Sequence, residues 1–152
     1  MTIKIILADN HQLVRQGLAL LLEGEPEMRV VGEAEDSRTT MRLIQELSPQ
    51  VVIMDISLPD LNGVEATRLI LSRFPQVKVI TLSMHSDSLF VLNMLNAGAS
   101  GYLLKDCALE ELVKAIQTVV TQKIYLSPTL SNLLFTELAN KVTLDNPHHE
   151  TD

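Results

Sequence analysis

The chain has 152 residues, 46% of them hydrophobic, with 12 Lys and Arg against 19 Asp and Glu and a formal charge of −7. That length holds one domain with a real core and a short appendage, and the acidic balance argues against direct nucleic-acid binding, which needs clustered Lys and Arg to neutralise phosphates. A lone Cys107 permits no internal disulfide, the start MTIKIILADNHQ lacks the apolar stretch and small-residue cleavage site of a secretory signal, and no run is long enough to span a bilayer, so the expectation is a cytoplasmic protein.

In chain order, apolar runs of strand length alternate with segments of helical period. Strands are predicted at Ile3 to Ala8, Arg29 to Gly32, Val51 to Met54, Val77 to Leu82 and Gly101 to Leu104. Leu13 to Leu22, Thr40 to Leu47, Val64 to Phe74, Leu89 to Ala97 and Leu109 to Val120 carry apolar residues at three and four spacing. VVIM has no polar residue in alternation, which predicts a strand buried on both faces. The alternation of β and α predicts a parallel sheet covered on both sides through right-handed crossovers. Gly24 and Gly98 stand where helices stop, Pro26, Pro49 and Pro75 fall in connections, and Asn62 and Asp87 are placed to begin helices. Beyond Tyr125 a sixth helix without a preceding strand is predicted, with Pro128 in its first turn and Leu130, Leu133, Leu134 and Leu138 on one stripe. That stripe has to be buried against the same chain or another. The expected division is a domain over 1–127, a linker helix over 128–142 and a disordered polar tail over 143–152, in which His148 and His149 are solvated rather than metal-bound.

The predicted strands deliver polar groups to one edge. Asp9 and Asn10 follow the first, Asp55 the third, Ser83 the fourth and Lys105 the fifth. Ligands in open parallel sheets bind outside the carboxyl ends of the strands. A hydroxyl, a lysine and carboxylates converging there suit phosphoryl transfer: carboxylates hold Mg²⁺, the lysine and metal neutralise phosphoryl oxygens, and one carboxylate attacks phosphorus.

Over residues 3 to 127, through ADNH, MDISLPDLNG, VITLSMHSD and NAGASGYLLKD, the sequence resembles the receiver domains of bacterial two-component response regulators. The resemblance implies a flavodoxin-like, doubly wound, five-stranded parallel sheet of order 2-1-3-4-5, here with an extra C-terminal helix. It implies Asp55 as phosphoacceptor, Mg²⁺ held by Asp9, Asn10, Asp55 and the Ser57 backbone carbonyl, and Ser83 and Lys105 as the groups that meet the phosphoryl. Ser83 and Tyr102 would be the switch residues. A sensor histidine kinase would be the partner, with no activity as an enzyme beyond the domain's own phosphorylation and dephosphorylation. SMHSD, AGASGYLLKD and YLSP resemble the NarL/FixJ-like branch, whose receivers precede a LuxR-type helix-turn-helix. No such core fits the ten last residues, so the expectation is a truncated or naturally single-domain chain, reaching DNA only through an absent output domain and open to homodimerisation.

Two positions depart from the family pattern. Asn10 stands where a second adjacent aspartate is usual, which removes a negative charge from the pocket and supports the alternative of a pseudo-receiver, a phosphorylation-independent interaction module. Ala108 stands where a capping serine is common. The remaining reactive residues take plain readings: His11, next to the acidic pair, a helix-start residue facing solvent rather than a base or metal ligand, His85 a loop former, Cys107 an inert thiol, Met84 and Met94 core or interface fillers. A flavoprotein is disfavoured because DNHQ lacks the glycine and hydroxyl cluster that cradles a flavin phosphate. LSMHS is no nucleophile elbow.

Overall fold

Residues 2–84, 88–107 and 109–145 are described by the structure, a computed structural model, with the side chains at 88, 133, 137, 138 and 140–145 outside that description. His85, Asp87, Ala108, His148 and His149 therefore lie outside the described residues. The chain runs β1 (Ile3–Ala8), α1 (Gln12–Glu23), β2 (Met28–Ala34), α2 (Ser37–Leu47), β3 (Val51–Asp55), α3 (Gly63–Arg73), β4 (Lys78–Ser83), α4 (Ser88–Asn96), β5 (Gly101–Leu104), α5 (Leu109–Val119), β6 (Tyr125–Leu126) and α6 (Pro128–Asp145). Among the described residues the sheet has the order β2-β1-β3-β4-β5-β6, every pair parallel. The expected order 2-1-3-4-5 is present. The two-residue β6 adds a strand beyond the five expected, pairing Tyr125 with Gly101 and Leu126 with Tyr102.

Alternation along the strands sorts the core into two layers. Ile5, Leu7, Ile53, Ile80, Leu82 and Leu103 pack with Leu22 of α1 and Leu112 and Ile116 of α5. Ile6, Val52, Met54, Val79 and Tyr102 pack on the opposite face with Ile44 of α2, Ile70 of α3, Met94 of α4 and Leu130 of α6. With both faces covered, the strands need no polar alternation, as the VVIM run indicated. The chain leaves β1 toward β2 on one side and returns to β3 on the other. The ends of β1 and β3 thus flank the topological switch point, where open α/β sheets leave a crevice.

Local chemistry fixes the element starts. The Asn62 side chain accepts from the Glu65 N–H at 3.0 Å and caps α3. Gly63 is required by close approach: a Cβ there would lie 2.7 and 2.8 Å from the Ile56 side chain and Cα, while the Gly63 N–H donates to the Ile56 carbonyl at 2.8 Å. α2 starts at Ser37, earlier than expected, because Asp36 accepts from the Thr39 N–H at 2.7 Å. Pro128 opens α6 as predicted, Ser127 Oγ accepting from the Leu130 N–H at 3.3 Å. Leu130 is buried and Leu134 half-buried against the layer containing α4, so α6 docks on its own chain. Leu133 and Leu138 fall outside the described side chains, and α6 runs to Asp145, past the expected end of the linker helix.

Candidate functional site

The carboxyl edge of the sheet gathers Asp9 from the end of β1, Asp55 from the end of β3 and Lys105 from just beyond β5. Backbone pairing sets their positions: the Asp9 N–H donates to the Ala34 carbonyl at 2.9 Å, the Ile56 N–H to Leu82 at 3.3 Å and the Lys105 N–H to Ser83 at 2.8 Å. Both carboxylates are buried, at 3% and 2% exposure. Lys105 Nζ stands 3.3 Å from Asp9 Oδ2 and 3.1 Å from Asp55 Oδ2. Asp55 Oδ1 accepts from the Ser57 N–H at 3.2 Å and the Ser57 hydroxyl at 3.1 Å, which fixes the rotation of the Asp55 carboxylate and places the Ser57 backbone beside it.

The Oδ2 atoms of Asp9 and Asp55 are buried without a hydrogen-bond donor among the described residues. Lys105 Nζ lies near enough to each to supply charge, but outside hydrogen-bonding geometry. Two carboxylates and one ammonium leave a formal deficit of one positive charge, and oxygen donors of this kind are what a hard dication takes. Buried carboxylate oxygens without donors need such a counter-charge, so the donor set fits a divalent cation.

Ser83 is buried at the end of β4, in register with Leu104 of β5, and with Lys105 lines a small cavity beside the acidic pair. Tyr102 is fully buried, its ring in the layer with α4 and α6, so the aromatic singled out as a switch points inward. Asn10 is exposed at the rim beside buried Asp9. The structure thus brings together Asp9, Asp55, Ser57 and Lys105 by measured contacts, and sets Ser83 and Tyr102 on the adjoining strands.

One residue of the site was set aside in the sequence and another was not found there. His11, read as facing solvent in preference to a metal ligand, is exposed, and its backbone N–H donates to Asp9 Oδ1 at 2.8 Å while its Nδ1 lies 3.1 Å from that oxygen and 3.6 Å from Asp55 Oδ2. The signal was its position two residues beyond an aspartate, where a carboxylate captures the i+2 amide and turns the chain. Arg15, on what reads as a polar helix face, is buried; its Nη1 donates to the Asp9 carbonyl at 2.6 Å and its Nε to Glu33 Oε1 at 3.0 Å, bracing the end of β1 against β2. Cys107 keeps its plain reading: burial pushes its thiol up, and Glu111 and Asp106 add to the rise, which leaves little thiolate.

A family model described as the response regulator receiver domain matches residues 5–117. The transcriptional regulatory protein DegU of Brevibacillus brevis is 41% identical over 143 residues, 94% of this chain and 61% of that protein. The response regulator GacA of Pseudomonas aeruginosa is 37% identical over 132 residues, 87% of this chain and 62% of that protein. Among solved structures, a LuxR-family two-component response regulator from Aurantimonas sp. SI85-9A1 is 37% identical with a TM-score of 0.87, covering 91% of this chain and 99% of that one. The chain spans about three-fifths of the length of the curated relatives it matches, 61% in DegU and 62% in GacA. Among the described residues, no helix is long and apolar enough to cross a membrane.

Proposed function

The chain belongs to the response regulator receiver-domain family, and from that membership we propose that it is a phosphorylation-controlled switch whose acceptor is Asp55. The observation that carries the reading is the under-bonded carboxylate pair at the sheet's switch point, Asp55 Oδ2 and Asp9 Oδ2 buried without donors and faced by Lys105. An Asp55 carboxylate oxygen attacks the phosphorus of a phosphohistidine on a sensor kinase. The P–N bond breaks as the P–O bond forms, and the released imidazole takes a proton from solvent. Held by Asp9, Asn10, Asp55 and the Ser57 carbonyl, Mg²⁺ would supply charge compensation for the phosphoryl oxygens.

The chain's own groups do the rest. Ser57 orients Asp55 through the two hydrogen bonds to Oδ1, leaving Oδ2 turned toward Lys105. Lys105 exchanges its hold on the two aspartates for the dianionic phosphoryl, and the Ser83 hydroxyl donates to it. Movement of Ser83 along β4 vacates space next to Tyr102 of β5, whose ring reports the change to α4, β5 and α5. That surface, or α1 and α5, then serves as a homodimer or output interface. Where a DNA-binding domain is joined to such a receiver, it would read the state; structures of RcsB include dimers bound to DNA. The domain is a cytoplasmic signalling module, catalysing its own phosphorylation and dephosphorylation and no reaction of an outside substrate. The contacts among Asp9, Asp55, Ser57 and Lys105 favour this over a phosphorylation-independent interaction module, although Asn10 removes one charge.

Intact-mass measurement after incubation with Mg²⁺ and a small phosphodonor tests the reading. One added phosphoryl group in the wild type and none in Asp55→Asn is the expected result. No addition to the wild type under saturating donor would overturn it in favour of the pseudo-receiver.

A further inference from the structure

We propose that His11 is a nitrogen ligand of the cation pocket, and that the pocket therefore prefers a borderline first-row dication such as Co²⁺ or Zn²⁺ to Mg²⁺. The inference rests on the reading of the acidic pair as a cation site and adds a donor from this chain. One ligand atom from each of Asp9, His11 and Asp55 falls within 4.8 Å of the others. His11 Nδ1 is 3.1 Å from Asp9 Oδ1 and 3.6 Å from Asp55 Oδ2. Two donors each about 2.1 Å from one cation are separated by about 3.0 Å at an octahedral angle and about 3.4 Å at a tetrahedral one. The 3.1 Å spacing is a hydrogen bond that a cation would replace, and both imidazole–carboxylate spacings lie near those of donors sharing one ion.

The second observation is the carboxylates' condition. Among the described residues, Asp9 Oδ2 and Asp55 Oδ2 are buried and accept no hydrogen bond, with the Lys105 ammonium as their shared ion-pair partner. The His11 side chain is held at the pocket by the turn in which its own N–H meets Asp9 Oδ1, yet it makes no side-chain cap to α1. It is not spent on ending the helix. Imidazole binds Co²⁺ and Zn²⁺ well and Mg²⁺ poorly, because Mg²⁺ prefers oxygen and retains its water. Exposed Asn10 leaves the pocket one carboxylate short of the usual family set, so exchanging a hard oxygen donor for nitrogen shifts preference in the same direction.

Calorimetric titration of the full chain with Mg²⁺ and, separately, Co²⁺ tests this, together with the visible absorption of bound Co²⁺. A His148→Asn, His149→Asn background removes the adjacent tail imidazoles as competing sites. The wild-type pocket is expected to bind Co²⁺ at least about tenfold more tightly than Mg²⁺. His11→Ala, at a side chain 58% exposed and with no cap to lose, should fold, lower Co²⁺ affinity about tenfold and shift the absorption band, while changing Mg²⁺ affinity less than about threefold. Unchanged Co²⁺ affinity and an unchanged band in His11→Ala overturn the proposal. If Asp55→Asn still lowers Mg²⁺ affinity in that case, the pocket reading survives and only the nitrogen ligand is lost. Metal binding indifferent to both substitutions overturns both.

Discussion

The two edges of this one sheet are built on opposite principles. At the amino edge, loops are closed by neutral hydrogen bonds: Ile3 N–H to Glu27 at 2.8 Å, Gln50 N–H to Lys4 at 3.0 Å, Lys78 N–H to Gln50 at 2.9 Å and Ser100 N–H to Val79 at 2.8 Å, with the Gln50 side chain accepting from the Lys4 N–H at 2.8 Å. At the carboxyl edge, β1 and β3 lead into buried carboxylates whose Oδ2 atoms, among the described residues, share the Lys105 ammonium and accept no hydrogen bond. One edge is closed by hydrogen bonds within the protein, and the other holds two negative charges against one ammonium. That imbalance localises function without reference to any relative, because incompletely compensated buried charge is costly and persists where a ligand completes it.

Removing the ammonium that faces both carboxylates should break this contrast most strongly. Lys105→Ala leaves Asp9 and Asp55 buried without that counter-ion and is expected to cost about 3 kcal/mol of stability in chelator. Divalent cation should restore much of it, which urea denaturation with and without metal would reveal. Substitution at the amino edge, as in Gln50→Ala, should cost only about 1 kcal/mol and be indifferent to metal. Equal metal response at the two edges would end the distinction.

Next in size is Gly63→Ala. The added Cβ meets Ile56 side-chain and backbone atoms at 2.7 to 3.0 Å, and Ile56 adjoins Asp55 and the Ser57 group that orients it. Overpacking of about 1–3 kcal/mol is expected. Because the strain is released toward the acceptor loop, phosphorylation should slow as well as the protein lose stability. A loss of stability with an unchanged phosphorylation rate would show that the loop absorbs the strain away from Asp55.

Asn10→Asp sharpens the comparison by adding charge to the edge already short of it. A carboxylate beside a dication gains several kcal/mol of Coulomb attraction, most of it offset by desolvation, so a net gain of about 1–3 kcal/mol, roughly ten- to a hundredfold in Mg²⁺ affinity, is reasonable. Asn10 is exposed, which favours the lower end. Equal half-saturation by Mg²⁺ in phosphorylation assays of the two proteins would mean that position 10 is not a direct ligand.

What could be read from sequence follows the same divide between backbone and side chain. β1 and β5 fall at their expected residues, and Asp9, Asp55 and Lys105 converge because strand ends in a parallel sheet share one edge, a consequence of topology alone. Side-chain direction at a helix start is not periodic, so DNHQ showed a turn from Asp9 to the His11 amide but not that the exposed imidazole would also reach Asp9. Arg15 is buried because Glu33 and the Asp9 carbonyl, distant in sequence from each other, both receive it. β6 is too short at Tyr125–Leu126 for any alternation to register, and only its pairing with Gly101 and Tyr102 defines it.

The smallest effect concerns Asp60, which ties the acceptor loop to the start of α2. Its Oδ1 accepts from the Ser37 N–H at 2.9 Å, and its Oδ2 from the Ser37 hydroxyl at 2.8 Å and the Arg38 N–H at 3.2 Å. Burial acts to raise its pKa, but the hydrogen bonds from Ser37 and Arg38 outweigh it, and the carboxyl titrates below the ordinary aspartate value. A depressed carboxylate stabilises the fold above its unfolded pKa, and that stability is lost as pH falls through the folded one. The side chain is exposed, so solvent screening holds the contribution under about 1 kcal/mol. Wild type should therefore exceed Asp60→Ala in melting temperature at neutral pH, with the gap closing as the solution is acidified below the usual carboxylate range. A gap that persists unchanged in acid would mean that Asp60 acts through the shape of the loop rather than its charge, and the link between α2 and the acceptor would be steric.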